Sequence, residues 1–201
     1  MNKLMRRLTA ASFFCFCSQL MALSQPYDSI NTLPIIYYYV PDGYILNSLA
    51  SDNASKVIVD IESTDGSVAR YLAQQNIPSV TKIYSVSLWP AGDPPEYDRY
   101  QRFLSNVIQE GTTEVIIPLR MSSAEAASAL NINADLIYFG SFDSNTLYTE
   151  ITQWIANLSD TGVLCGNNWN ENPIKVAVVR AANDYNLNLG IAGNVWYLKK
   201  N

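Results

Sequence analysis

Residues 56–73, KVIVDIESTDGSVARYLA, join a short apolar run to a polar turn and the start of a longer segment. The run from Val57 to Ile61 is rich in β-branched residues, which is typical of a strand buried on both faces. Gly66 lies in the turn, where a chain often needs a backbone conformation that other residues disfavour. The stretch therefore predicts a strand, a tight turn and a helix, the unit from which parallel sheets are built.

Four further apolar runs alternate with segments of helical spacing. The runs are residues 83–88, 114–119, 135–139 and 163–165. Apolar side chains recur every three or four residues over 97–108 and 147–158, so each of these segments has one apolar stripe. Repetition of strand and helix predicts a parallel sheet with a ligand site at the carboxyl ends of its strands. Residues 186–190 and 194–199 flank a Gly-containing turn and predict a final antiparallel hairpin.

Residues that begin or end helices agree with this order. Ser122 or Ser123, followed by Glu125, matches the pattern that caps the N-terminus of a helix, here one that runs to residue 130. Gly111 and Gly162 follow helical patterns, at the place where a glycine with a left-handed backbone commonly closes a helix. These boundaries predict a helix in each of the three connections from the second strand to the fifth.

Residues 1–24 have the pattern of a secretory signal. Three basic residues among the first seven precede an uncharged apolar run over 8–22, and small residues follow it. The pattern predicts cleavage after Ser24 and an exported protein, periplasmic or secreted, with no stable membrane insertion after cleavage. An uncleaved anchor is the alternative, but the run is shorter than the about 20 residues that span a bilayer. The rest divides into an N-terminal extension, 25–44, and one domain, 45–201.

Composition excludes several classes of function. The chain has no histidine, which removes Ser-His-Asp and Cys-His catalysis and histidine-bound zinc. Beyond residue 24 there are 10 basic and 18 acidic residues, a net charge of −8, which argues against nucleic acid as a partner. One cysteine, Cys165, remains there, so no internal disulfide forms. Its apolar neighbours in the sequence predict an inert core thiol.

Several of these segments together resemble class I methyltransferases that use S-adenosylmethionine (SAM), above all their small O-methyltransferase-like branch. They are the strand and turn at 57–66, the apolar strand that runs to Trp89, the strings ADLIYF at 134–139 and GVLCGNNW at 162–169, and the final hairpin with Trp196 and Tyr197. The resemblance covers residues 45–200. It implies a Rossmann-like, doubly wound α/β sheet of seven strands, mostly parallel, with an antiparallel strand in the C-terminal hairpin.

The resemblance assigns cofactor-binding positions to the first turn. Asp60, the acid near the end of the first strand, and Gly66, the second glycine of the motif, match the family. Glu62 stands where the family has its first glycine, at which the backbone turns sharply beside the cofactor. Its side chain adds bulk and negative charge to that space. The resemblance thus predicts a SAM site in which one position is altered.

Three serines stand at the other positions that the resemblance assigns to SAM. Ser87 ends the second strand, where the family has an acid that accepts hydrogen bonds from both ribose hydroxyls. Loss of these charge-assisted bonds costs about 1.5–3 kcal/mol each. Ser122 and Ser123 fall in the turn that lies against the adenine, although a helix cap explains them equally well. SAM is therefore the expected cofactor if the protein is an active enzyme, and otherwise none is expected.

On the side of the methyl acceptor, the resemblance points to Tyr138 and Asp143 as candidates for catalysis. The acid that ends the fourth strand in the metal-dependent branch is replaced, and Gly140 stands nearest to its position. Asn167 and Asn168 replace a pair that contains an aspartate in the family. Two neutral amides lack the charge that holds a hard cation, so no metal is expected.

Glu62, Ser87 and Gly140 differ from the family pattern, whereas the apolar cores of the strands are retained. This favours an exported pseudoenzyme that acts as a binding or interaction module with an unknown protein or small-molecule partner. Export agrees, because SAM is made in the cytosol. Two alternatives stay open: an active SAM-dependent methyltransferase, and a protein that binds a different small ligand in the same crevice. The 13 Tyr and 4 Trp suit sugars or aromatic ligands, but residues 37–39, three tyrosines, are expected to pack at a strand or domain edge.

Overall fold

The computed structural model describes residues 24–37, 39–62, 64–90, 98–140 and 145–201. These ranges contain seven strands: β1 (Val57–Ile61), β2 (Lys82–Ser87), β3 (Ile116–Arg120), β4 (Ala134–Phe139), β5 (Leu158–Gly166), β6 (Leu187–Ala192) and β7 (Val195–Lys200). They also contain six α-helices: α1 (Gly43–Asp52), α2 (Ser67–Gln74), α3 (Arg99–Gln109), α4 (Ser123–Ala129), α5 (Leu147–Trp154) and α6 (Asn172–Asp184). A short 3-10 turn, Ile155–Asn157, follows α5.

All seven strands lie in one sheet with the order β3-β2-β1-β4-β5-β7-β6. Strands β1 to β5 pair in parallel with their neighbours. Strand β7 runs antiparallel to both β5 and β6, so it is the reversed strand of the sheet. The predicted Rossmann-like, mostly parallel sheet with an antiparallel strand in its C-terminal hairpin is confirmed. Its strand order reverses at β1 and β4, and the carboxyl ends of these strands flank the crevice where a ligand is expected.

Two hydrophobic cores lie on opposite faces of the sheet. Ile58 belongs to the core on the face covered by α1, α2 and α3, whereas Val59 belongs to the core under α4, α5 and α6. Both side chains are fully buried, as expected of a central parallel strand. Within the described ranges, no helix is long and apolar enough to cross a bilayer.

Residues 24–37 and 39–41, which we call the N-terminal segment, run across the face of α3 without regular secondary structure. The Tyr27 hydroxyl donates to the Ile116 carbonyl oxygen at 2.8 Å. The Leu33 N–H donates to Ser105 Oγ at 2.7 Å. Bonds to β3 and α3 therefore hold the segment at two points, and from there the chain continues to the carboxyl ends of the strands.

Helix boundaries agree with the sequence at two of three predicted positions. Gly111 closes α3 with a φ of 67°, and Ser122 caps α4 in a reciprocal capping box with Glu125. Gly162 does not close a helix, and that prediction is wrong, because the residue lies inside β5. A β carbon at Gly162 would stand 2.8 Å from the Ala134 carbonyl oxygen, at the register shift between β4 and β5. Close approach of two strands is therefore what requires glycine there.

Candidate functional site

A cavity of about 130 Å³ lies at the carboxyl ends of β1, β4 and β5, where the strand order reverses. Three predicted site residues, Asp60, Glu62 and Tyr138, meet in its wall. Gly140 and Asn167, which stand at altered positions of the resemblance, complete this side of the wall. The cavity lies where the topology of a doubly wound sheet predicts a ligand site.

Asp60 connects β1 to the helix that follows the turn. Only 1 % of the residue is exposed, and its Oδ2 accepts the Ala69 N–H at 3.2 Å. Ala69 lies in the first turn of α2, where free N–H groups and the helix dipole favour negative charge. The carboxylate therefore holds the N-terminus of α2 against the sheet.

The turn after β1 has a left-handed backbone at both positions where the family has glycine. Glu62 has a φ of 60° and Gly66 has a φ of 78°. Space is also restricted at Gly66, because a β carbon there would stand 2.8 Å from the Phe103 ring. At Glu62 a residue with a side chain adopts the left-handed conformation, which costs about 1–2 kcal/mol. The turn thus has the backbone that the resemblance implies, with strain at Glu62.

Ser87, the position assigned to the ribose, is already engaged by the chain. It is buried, and its Oγ accepts the Trp89 N–H at 3.2 Å. Trp89 has a φ of 44°, and its indole N–H donates to the Thr64 carbonyl oxygen at 2.6 Å. The indole packs against the rings of Tyr100 and Phe103, with centroid distances of 5.0 and 4.7 Å. Trp89 therefore fills the space between the turns that follow β1 and β2.

Tyr138 and Gly140 form the wall at the end of β4. Burial and the negative charge of Asp60 raise the pKa of the Tyr138 phenol well above its usual range, so the hydroxyl stays protonated at neutral pH. A β carbon at Gly140 would stand 3.1 Å from the Tyr138 ring and 3.3 Å from the Ile61 carbonyl oxygen. The same two causes raise the pKa of the Cys165 thiol, which is fully buried, as expected of an inert core residue.

No protein-family model and no curated protein matches the sequence, but solved structures match the fold. The SAH-bound methyltransferase PaMTH1 of Podospora anserina has a TM-score of 0.66 and 11% identity, over 82% of this chain and 80% of that one. The chain has the class I methyltransferase fold. TomG, an O-methyltransferase of Streptomyces achromogenes in complex with SAM, has a TM-score of 0.64 and 13% identity, over 84% of both chains. An O-methyltransferase of Bacillus cereus in complex with SAH has a TM-score of 0.61 and 13% identity, over 84% of both.

Within this methyltransferase fold, the remaining predicted residues are not brought to the cavity. Ser122 Oγ accepts the Glu125 N–H at 3.3 Å in the cap of α4. Ser123 Oγ accepts the Trp154 indole N–H at 2.9 Å, in a buried contact. Both hydroxyls thus have structural bonds, and their part in binding SAM stays a prediction. Asp143 lies outside the described residues. In the described ranges no three Asp, Glu, Cys or His side chains are grouped so as to hold a metal.

The N-terminal segment contributes a part of the site that the sequence did not indicate. Residues 39–41 lie against the cavity, although no periodicity marks them. Tyr37 and Tyr39 are exposed, by 76% and 85%, so the prediction of packing at an edge is wrong for these two residues, and Tyr38 lies outside the described residues. Hydrogen bonds of the segment to α3 and β3 leave these side chains directed to solvent. Tyr39 therefore stands at the rim of the cavity.

Replacement of Glu62 by glycine is expected to raise the free energy of unfolding by about 1 kcal/mol, since glycine adopts a left-handed backbone without strain but is more flexible when unfolded. The gain is expected to grow as the pH rises. Burial raises the pKa of the folded Glu62 carboxyl, so the wild type loses stability as this group ionises, from about pH 4 upward. Urea unfolding at about pH 4 and about pH 7 measures both effects.

Replacement of Glu62 by glutamine is the matched control for the charge. It keeps the strained backbone and removes the carboxyl, so it is expected to reproduce the pH-dependent part of the gain alone. Equal stability of the wild type and the glycine variant at both pH values would contradict the strain and the burial at this position.

Proposed function

We propose that this chain is an exported, methyltransferase-like binding protein that does not hold SAM at the family's cofactor position. The observation that carries the proposal is the Trp89 side chain, which fills the gap between the turns after β1 and β2. The Ser87 hydroxyl, which stands where the ribose acceptor is expected, already accepts the Trp89 N–H. Ser87 is only 2% exposed, so a bound nucleoside would have to open the turn after β2 to reach its hydroxyl.

The size of the cavity supports the same proposal. Its volume of about 130 Å³ is well below the about 300–1,000 Å³ of sites for drug-sized ligands. Glu62 adds a carboxyl group beside that of Asp60 in the wall. The carboxylate of SAM would meet like charge there, whereas its ammonium and sulfonium groups would be attracted, so the size of the cavity carries this part of the proposal.

Export is the part of the proposal that rests on the sequence alone. Residues 1–24 have the charge and apolar pattern of a signal peptide. An exported enzyme would be separated from a methyl donor that is made in the cytosol. A binding protein needs no methyl donor. Export and the altered cofactor position therefore favour the same function.

An active methyltransferase is the second candidate, and the first turn is the observation that favours it. Asp60 is in place, with its Oδ2 bonded to α2. Gly66 has the left-handed backbone of the second glycine in the motif. The structural neighbours from Bacillus cereus and Streptomyces achromogenes are complexes with SAH and SAM. Under this alternative Trp89 would move when SAM binds.

Calorimetric titration of the purified protein with SAM and with SAH separates the two candidates. We expect no saturable heat with either compound at millimolar concentration, because Ser87 is buried and bonded within the chain and Glu62 stands in the wall of the cavity. TomG of Streptomyces achromogenes, which has been crystallised with SAM, is the positive control. A micromolar dissociation constant for SAH would overturn the proposal and favour the active enzyme.

A further inference from the structure

The two edges of the sheet are built differently. Strand β3 forms one edge and β6 forms the other. Strand β3 contains Pro118, which has no N–H group to offer to a further strand. The Tyr27 hydroxyl, from the N-terminal segment, already donates to the Ile116 carbonyl oxygen of the same strand. Proline and a covering segment are two devices by which proteins prevent edge strands from pairing, so the β3 edge is protected.

Strand β6, residues 187–192 with the sequence LNLGIA, has no such device in the part of the chain that the structure describes. It contains neither a charged residue nor a proline. It pairs with β7 in an unbroken register, without a bulge. Gly190 does not interrupt it, because the Tyr197 ring covers the space where a β carbon would be. No described strand pairs with its outer side, which leaves a row of backbone donors and acceptors open.

The turn that joins β6 to β7 fixes which backbone groups point outward. Residues 193 and 194 form a two-residue turn, and the pair that flanks it, Ala192 and Val195, is the first pair of the hairpin. The pair that flanks such a turn is hydrogen-bonded, and bonded and non-bonded pairs then alternate. The N–H and C=O groups at alternate positions of β6 therefore point away from β7: those of Leu187, Leu189 and Ile191.

Exposed apolar side chains gather at the same end of the sheet. Of the eight large hydrophobic residues that the described ranges expose, four lie in α6, in β6 or in the turn between them: Val176, Val179, Tyr185 and Ile191. Ile191 is 49% exposed, although Leu187 and Leu189, at alternate positions on the same face, pack against the core. The β6 edge thus combines open backbone groups with uncovered apolar surface, which is typical of an interaction site.

The distribution of charge favours a second copy of this chain as the partner. Residues 158–201, which contain β5, β6, β7 and α6, have four basic and three acidic residues, a net charge of +1. Residues 25–157 have six basic and 15 acidic residues, a net charge of −9. Two copies that meet at β6 keep these acidic portions apart, so repulsion between them is weak. A basic partner would instead be drawn to the other end of the sheet.

We propose that two copies of this chain associate through β6, which pairs antiparallel with itself about a two-fold axis at Leu189. In this register Leu189 lies opposite its own copy, and Leu187 lies opposite Ile191 of the second copy. All outward backbone groups of both strands are then paired, and their apolar side chains meet on one face. A shift by two residues in either direction would leave some of these groups unpaired. Two-fold contacts of this kind close on themselves and give dimers.

Sedimentation velocity of the purified protein, over about 1–200 µM, tests the association. We expect a change from the mass of one chain to twice that mass, with a dissociation constant of about 1–100 µM, because a single strand pair buries little surface. A wild type that stays monomeric, or an assembly of more than two copies, would overturn the inference. SAM enters none of this, because β6 lies outside the strands that form the cavity.

A charged residue at the edge provides the matched variant. Ile191→Lys places a charge opposite Leu187 of the second copy and is expected to weaken association by about tenfold or more. Leu88→Lys is the control, because Leu88 is 54% exposed, similar to Ile191, but lies in the turn after β2. It is expected to associate as the wild type does. Equal dissociation constants for the two variants would contradict an interface at β6.

Cysteine substitution with mild oxidation tests the register. Leu189→Cys places two thiols at the two-fold axis with Cα atoms about 5.5 Å apart, within the range of a disulfide. Asn188→Cys is the control, because residue 188 lies opposite residue 190 of the second copy, so that its two Cα atoms are about 8 Å apart, too far for a disulfide. Asn188 is the more exposed of the two residues, so random collision would cross-link it faster.

A non-reducing gel distinguishes these outcomes. We expect a covalent dimer from Leu189→Cys and little from Asn188→Cys. Cys165 is fully buried and common to both variants, and the wild type, oxidised in the same way, shows any cross-link that does not involve β6. Circular dichroism checks that each variant is folded. Faster cross-linking at residue 188 than at residue 189 would overturn the proposed register.

Discussion

Replacement of Trp89 by alanine is expected to lower the free energy of unfolding by about 3–5 kcal/mol, as for other large core residues. Only 1% of Trp89 is exposed, and its indole contacts the rings of Tyr100 and Phe103. The variant also leaves the Thr64 carbonyl oxygen without the indole donor at 2.6 Å. Urea unfolding at neutral pH measures the loss as a lower midpoint with an unchanged slope.

Leu88 provides the matched control for Trp89. It is the preceding residue in the same turn, but 54% of it is exposed, so Leu88→Ala is expected to change the free energy of unfolding by about 0.5 kcal/mol or less. Trp89→Phe keeps an aromatic ring and removes the N–H donor, and an intermediate loss is expected. Equal losses in the Leu88 and Trp89 variants would show that the indole does not pack as described.

Replacement of Glu110 by alanine is expected to lower the free energy of unfolding by a similar amount, about 3–5 kcal/mol, because it leaves the charge of Arg70 buried without its partner. The two side chains are 5% and 7% exposed. They form a bidentate pair in which Arg70 Nε lies 2.8 Å from Glu110 Oε2. Arg70 also donates to the Ile36 carbonyl oxygen at 3.3 Å. Urea unfolding and hydrogen exchange at residues 33–37 measure the global and the local effect.

Two further variants test the cause of this loss. Arg180 and Asp184 form an exposed ion pair at 3.4 Å, with side chains 63% and 47% exposed. Asp184→Ala is therefore expected to cost about 1 kcal/mol or less. A double variant with Arg70→Met and Glu110→Leu removes both buried charges and is expected to recover most of the stability. A double variant as unstable as Glu110→Ala would mean that packing, and not the unpaired charge, dominates.

The first turn shows how far a local pattern leads to a correct structure. Residues 57–61 form the predicted strand because a central strand is buried on both faces and is therefore apolar throughout. Gly66 has the predicted left-handed backbone. Glu62 adopts the left-handed backbone expected of the glycine that stands there in the family. Its place in the motif predicts this conformation, whereas the conformational preference of glutamate does not. The cofactor roles assigned to these residues stay predictions.

Gly162 shows where a local pattern misleads. The apolar spacing over 147–158 predicts a helix that Gly162 would close. The helix α5 ends at Trp154 instead, before that spacing does. Strand β5 begins at Leu158 instead. The need for glycine arises from the Ala134 carbonyl oxygen on a neighbouring strand, and no spacing within one segment reveals such a contact. A glycine after a helical pattern is therefore ambiguous without the sheet.

The order of strands and helices and the tight turn after β1 follow from the sequence alone, because they depend on the spacing and conformational preferences of neighbouring residues. The absence of histidine is a fact of composition. The state of the crevice does not follow from the sequence alone. Trp89 meets Thr64 across 25 positions of the chain, and residues 39–41 reach the cavity only because bonds to α3 and β3 direct the N-terminal segment there. The packing of Trp89 and the wall of the cavity were therefore decided by contacts between segments that folding brings together.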